Sequence, residues 1–177
     1  MPEMKRYNTM MVLLHWVLAI FILGAIFMGA IVLDEMESEH PQKILLLKTH
    51  ILVGVGILLL TVFRLYVRYT TPQPAPVASD KPVTDIIAKG IHHLLYLLTI
   101  LTVLAGIALA VSADLPAVLL NHAGELPKDY EDFIAHEAHG FFANMLFFTV
   151  LLHVAAALYH QYILKDGLLS RMSLHKD

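Results

Sequence analysis

Residues 139–153 read HGFFANMLFFTVLLH, an apolar run closed at each end by a histidine. His153 lies fourteen positions after His139. A helix turns about 100° and rises about 1.5 Å per residue, so that interval returns nearly to the same face after roughly 21 Å. The run extends to residues 136–164, long enough for a bilayer crossing of roughly 20 mostly apolar residues. One membrane helix would thus hold two imidazoles on one face at two depths.

Working outward, three further stretches, about 10–33, 44–69 and 86–111, are as long and as apolar. With 58% hydrophobic and 15% charged residues among 177, the chain has too little polar surface to dissolve as a globule. The expected fold is all-α, an integral membrane four-helix bundle forming a single domain over residues 1–177, with no sheet. The first stretch, which contains His15 and Trp16, is longer than a signal-peptide core and is expected to be a retained helix. The proline-rich segment Pro72 to Pro82 should be an extended link between helices two and three. Tyr130 to Ala135 is expected to be helical and to lead into helix four.

Nine of the twelve basic residues, including Arg6, Arg64, Arg68, Lys89, Lys165 and Arg171, belong to the termini and to the segments around the second connection. By the positive-inside rule both termini and that connection face the cytoplasm of a bacterial inner membrane. Residues 34–43 and 112–135 then face outward. Nucleic acid is not an expected partner; membrane lipid is.

The chain has no cysteine, which excludes disulfides, iron–sulfur clusters, thiolate metal sites and covalently attached haem. A bound metal must use histidine or carboxylate. Six of the eleven histidines, His15, His50, His92, His93, His139 and His153, lie within the spans, where ionisable groups usually have a function. Alternating helix direction places His15 and His153 at one depth and His50 and His139 at the other. Two imidazole pairs can make two six-coordinate haem sites, suited to electron transfer because no iron position stays open. His92 shares the depth of His15 and competes with it as partner of His153; periodicity alone does not choose.

The fourteen-residue interval recurs from His15 to Gly29, His50 to Arg64 and His92 to Gly106. Gly29, Gly54, Gly106 and Gly140 are read as clearance for a flat cofactor, since glycine lets it approach the backbone. Arg64 or Arg68 could pair with a haem propionate at the cytoplasmic level, where a guanidinium binds bidentately, and Lys48 could serve the outer haem. His160, with Tyr159, Tyr162 and Lys165 nearby, is compatible with a quinone pocket at the cytoplasmic interface or with interfacial anchoring. His40, His122, His136 and His175 lie at boundaries, loops or tails and are assigned no role.

Taken together, His15-Trp16, His50 followed by Gly54 and Arg64-Leu65, His139 with His153, and Lys165-Asp166 through Arg171-Met172 resemble the bacterial cytochrome b-561 family across essentially the whole chain. The resemblance implies two b haems, one held by His15 and His153 and the other by His50 and His139. It implies electron exchange with ubiquinone or a similar quinone near the cytoplasmic haem, placed here near His160 and Lys165, and superoxide as one periplasmic donor. Attraction of an anion favours a positive approach surface. The outward segments, however, carry ten acidic residues from Asp34 to Glu137 against Lys43, Lys48 and Lys128.

The expected function is transmembrane electron transfer through two bis-histidine b haems, between a periplasmic donor and membrane quinone, an oxidoreductase role. The alternative is a haem-bearing anchor subunit for a dehydrogenase or hydrogenase partner. A haem-free proton or metal transporter would be expected to carry carboxylates near the midplane, and the centres of the four spans contain no Asp or Glu.

Overall fold

A computed structural model describes residues 6–75, 82–121 and 125–174. Among the described residues five α-helices follow in order: α1 (Thr9–Phe27), α2 (Lys43–Thr70), α3 (Pro82–Ser112), α4 (Leu115–Asn121) and α5 (Ile134–Tyr159). α1 continues as a π-helical segment Met28–Leu33 and α5 as a second, His160–Leu164; a 3₁₀ turn, Leu168–Met172, follows. No strand occurs among the described residues. Four helical stretches, Thr9–Leu33, Lys43–Thr70, Ile86–Ser112 and Ile134–Leu164, are long and apolar enough to cross a membrane. Their outward surfaces carry residues such as Ile20, Leu52, Leu59, Leu104 and Phe148 in exposed positions. That surface suits hydrocarbon, in which a helix satisfies its own backbone.

Local chemistry fixes the ends. Asn8 caps α1, its side-chain oxygen accepting from the Met10 amide at 2.7 Å, a bond that satisfies one of the free N–H groups of a helix start. At the far end of that helix Lys43, 6% exposed, donates from Nζ to the carbonyls of Leu33 and Met36. A cation is favourable there, where unpaired carbonyls concentrate negative charge. Thr71 ends α2 in extended backbone; residues 76–81 of the proline-rich link lie outside the described residues.

The long segment after α3 differs from the sequence reading in two ways. Leu115–Asn121 forms the short helix α4, and Tyr130 to Phe133 is a turn, with α5 beginning only at Ile134. The reason is apolar burial. Leu115 and Leu119 pack with Ala110 and Ala113, and Tyr130 and Phe133 fold against the same cluster, which draws the segment over the bundle end instead of extending α5.

α3 packs most closely on α5 and also on α2, and α2 packs on α1. Leu18, Ile57 and Val103 make the middle of the core, and Met11, Leu14 and Val67 seal the end that carries both termini. At that end the chain is tied across its length. The Tyr7 amide donates to the Arg171 carbonyl, the Trp16 indole N–H to the Met172 carbonyl at 2.9 Å, and the Arg171 guanidinium to the Ala75 carbonyl at 2.7 Å. α1 and α5 have little direct packing; what bridges them is histidine.

Candidate functional site

At the termini end the ring of His15 on α1 lies 6.2 Å from that of His153 on α5, centre to centre. At the opposite level His50 on α2 lies 6.1 Å from His139 on α5. A metal–imidazole bond is about 2 Å long and the ring centre lies about 1 Å further, so two imidazoles on opposite sides of one iron have centres about 6 Å apart. Both pairs have that separation. His92 on α3 is also drawn to His153, with ring centres 5.5 Å apart; His93 instead donates from Nδ1 to the Lys89 carbonyl at 2.7 Å and is exposed.

The His139 ring is oriented by its surroundings. Its Nδ1 is 2.8 Å from the Thr102 carbonyl oxygen on α3. A carbonyl can only accept, so in the neutral ring Nδ1 carries the hydrogen and Nε2 keeps the lone pair a metal requires. His50 lacks such a support: its Nδ1 is buried with no hydrogen-bond partner among the described residues.

Glycines form the seats of these two rings. A Cβ added at Gly106 would lie 2.9 Å from Nδ1 and 3.0 Å from Cε1 of His139, and one at Gly29 would lie 3.3 Å from Cε1 of His50. The neighbour that excludes a side chain at both positions is thus an imidazole. At Gly54 and Gly140, beside His50 and His139 in the chain, an added Cβ meets nothing within 4 Å. At Gly54 that is open space one helical turn from His50, whereas Gly140, one residue after His139, does not share its helix face. An apolar cleft of about 230 Å³ also opens between α1 and α2, lined by Phe21, Gly24, Ala25, Met28, Val53 and His50.

Arg64 is half-buried on α2 near His15 and His153, its guanidinium carbon 5.5 Å from the centre of the Tyr96 ring. Its Nε is buried without a hydrogen-bond partner among the described residues. Arg68, one turn on, lies in the last turn of α2. Lys48 precedes His50 by two residues, and i, i+2 side chains do not share a helix face.

Beyond α5 the sequence grouped His160 with Lys165, but the contact is with the next residue. His160 Nδ1 lies 2.5 Å from Oδ2 of Asp166, whose Oδ1 accepts from the Leu168 amide at 3.0 Å. Lys165 adopts left-handed backbone with φ 53°, which turns the chain so that Asp166 swings back to His160. The signal for Asp166 was its i+6 position, out of helical register until the π-helical segment and this turn bring it close. Burial pushes the Asp166 carboxyl up, but hydrogen bonds from His160 and the Leu168 amide outweigh it and hold the group below its ordinary range.

Two pairs of imidazoles with ring centres 6.2 and 6.1 Å apart could each share one metal ion, and the sequence that carries them matches a known family. The family of prokaryotic cytochrome b561 matches residues 6–173. The chain belongs to that family. It is therefore a bacterial membrane protein of the cytochrome b561 helical-bundle type, and its chemistry is electron transfer through b-type haem. It is 28% identical to the probable superoxide oxidase CybB of Yersinia pestis, over 95% of this chain and 96% of that one. It is equally 28% identical to cytochrome b562 of Cereibacter sphaeroides, over 97% and 98% of the two chains, and to cytochrome b561 homolog 1 of Escherichia coli K12, over 96% and 97%. Membership of the family implies b-type haem, and the ring separations of the histidine pairs fit a group bound between them. The ring separations, the clearance at Gly54 and the Arg64 Nε that has no hydrogen-bond partner among the described residues are features that a haem and its propionates could use.

Proposed function

We propose that this cytochrome b561 holds two b haems, one between His15 and His153 near the cytoplasmic face and one between His50 and His139 near the periplasmic face, and passes electrons between a periplasmic donor and membrane quinone. The observation that carries the reading is the pair of histidine couples with ring centres 6.2 and 6.1 Å apart, both served by α5. Bound haem supplies a one-electron ferric/ferrous couple. The chain supplies the rest.

Thr102 fixes the His139 tautomer through its carbonyl, 2.8 Å from Nδ1. Gly29 and Gly106 let His50 and His139 lie against the neighbouring helices. Arg64 offers a positive charge at the His15–His153 level, suited to a propionate. The basic residues of the termini end support a cytoplasmic location for both termini.

Quinone reduction needs protons as well as electrons. The His160–Asp166 pair stands at the termini end, next to the lipid interface. With Asp166 accepting from Nδ1–H, the other ring nitrogen of His160 is free to exchange a proton with a bound quinone oxygen. Lys165, in the turn between them, lends positive charge to the same place.

Superoxide is one donor to test, since a relative of matching length bears that name. Lys43 is not available to attract it, because its ammonium is occupied by two backbone carbonyls. The test is the oxidised and dithionite-reduced spectrum with haem quantitation, for the wild type and for His15, His50, His139 and His153 each replaced by Ala. Two haems per chain are expected, one lost with His15 or His50, and both His139 and His153 each costing the haem of its own level. A protein inserted without haem overturns the reading. Reduction of quinone by the purified chain supports the self-contained oxidoreductase, and a co-purifying dehydrogenase or hydrogenase subunit the anchor role.

A further inference from the structure

A polar side chain inside a membrane bundle has no bulk water to turn to, so an unpaired one is costly. The span threonines Thr49, Thr99, Thr102 and Thr149 avoid that cost, each donating to the carbonyl four residues earlier at 2.7–2.8 Å. Two neighbouring side chains at the His15–His153 level do not. Arg64 Nε on α2 and the Tyr96 hydroxyl on α3 are both buried with no hydrogen-bond partner among the described residues. The guanidinium stands over the Tyr96 ring. Thr61, one turn before Arg64 and 2% exposed, also has no hydrogen-bond partner for its hydroxyl among the described residues.

The group that satisfies these donors must be an acceptor, and beside a permanently charged guanidinium it is best an anion. The spans do not provide it at this level: residues 10–33, 44–69 and 86–111 contain no Asp or Glu, and Glu137 of the fourth lies in the first turn of α5, at the opposite end from His153. A carboxylate meets the need, since its two oxygens accept from Nε–H and from a hydroxyl at once.

We propose that Arg64 and Tyr96 together bind one carboxylate, a propionate of the haem held by His15 and His153, and that Tyr96 is a positioning residue for that haem. The inference rests on the two-haem reading above. Ferric haem carries one more positive charge than ferrous haem, so a propionate whose charge is less well neutralised favours the oxidised form. Removing the Tyr96 hydroxyl therefore makes that haem harder to reduce, and removing the Arg64 charge more so.

The experiment is an optical redox titration of purified wild type, Tyr96→Phe, Arg64→Gln and the double variant, in detergent with and without added anionic lipid. Tyr96→Phe keeps the ring and its packing, so the haem content is expected to stay the same. The component lost in His15→Ala should fall about tenfold in its reduction equilibrium, which is 59 mV for a one-electron couple. Arg64→Gln should move the same component further, and the double variant should fall short of the sum because both act on one group.

A Tyr96→Phe protein with both components at their wild-type potentials overturns this inference and leaves the two-haem reading standing. So does a shift confined to the component lost in His50→Ala. An effect that vanishes on delipidation assigns the donors to a lipid phosphate and also overturns it. A wild type without the His15-dependent component overturns the two-haem reading and this inference with it.

Discussion

Gly106 on α3 and His139 on α5 share one space: a methyl group on the glycine would lie 2.9 Å from the Nδ1 that bonds to the Thr102 carbonyl. The residue that admits the ring and the carbonyl that orients it are one helical turn apart on α3. Gly29 stands in the same relation to His50, but more loosely, at 3.3 Å from Cε1.

Gly106→Ala should therefore cost the periplasmic-level haem and spare the other. The helix itself gains from the change, since Ala is favoured over Gly by about 1 kcal/mol in a helix interior, so misfolding is not the expected outcome. Haem quantitation should show half the wild-type content, with the His15-dependent component unchanged in the reduced spectrum. Gly29→Ala should keep both haems and shift only the spectrum or potential of the His50 site. Full haem content with unaltered spectra in Gly106→Ala would contradict the seat.

His92 is expected not to be an axial ligand, although its ring centre is only 5.5 Å from that of His153. His92→Ala should retain both haems, whereas His15→Ala should lose the one near the termini. The reverse result would assign the iron to His92 and leave His15 as its packing neighbour.

Replacing His160 by Ala or Asp166 by Asn should slow quinone reduction, by about a hundredfold if the pair acts as a general acid, with both haem spectra intact. Asp166 also makes the turn after α5 sensitive to acid. Its carboxyl titrates below its ordinary value in the folded protein, so the contact contributes stability above the unfolded value of about 3.9. That contribution is lost as the pH falls through the folded value. Hydrogen exchange at the Leu168 amide should rise relative to distant amides in that acid range, and at neutral pH in Asp166→Asn.

Lys43→Met should destabilise the bundle by about 1–3 kcal/mol, since it strands the carbonyls of Leu33 and Met36. The thermal midpoint in detergent should fall. Any superoxide-driven rate per intact haem should not change, because the Lys43 ammonium is buried and not part of the approach surface.

Hydrophobic length settled much of this protein in advance. Four apolar runs of membrane length allow little but four helices, because a span in hydrocarbon must bond its own backbone, and helical period alone put His139 and His153 on one face at two depths. Periodicity is a property of one helix, however, and says nothing of its neighbours. Alternating helix direction paired His50 with His139, but that their rings lie 6.1 Å apart, that Gly29 and Gly106 accept imidazoles, and that Arg64 stands over Tyr96 are contacts between helices. They depend on rotation and axial offset set by packing. The same limit hid Asp166, which reaches His160 only through a π-helical segment and a left-handed Lys165, and it hid α4, whose leucines become helical by covering the end of the bundle. The sequence by itself determined the four long apolar helices and the spacing of the histidines along them, through short-range backbone and solvation forces. Which side chains face each other was decided only by the tertiary structure, where packing across chain-distant helices sets the distances.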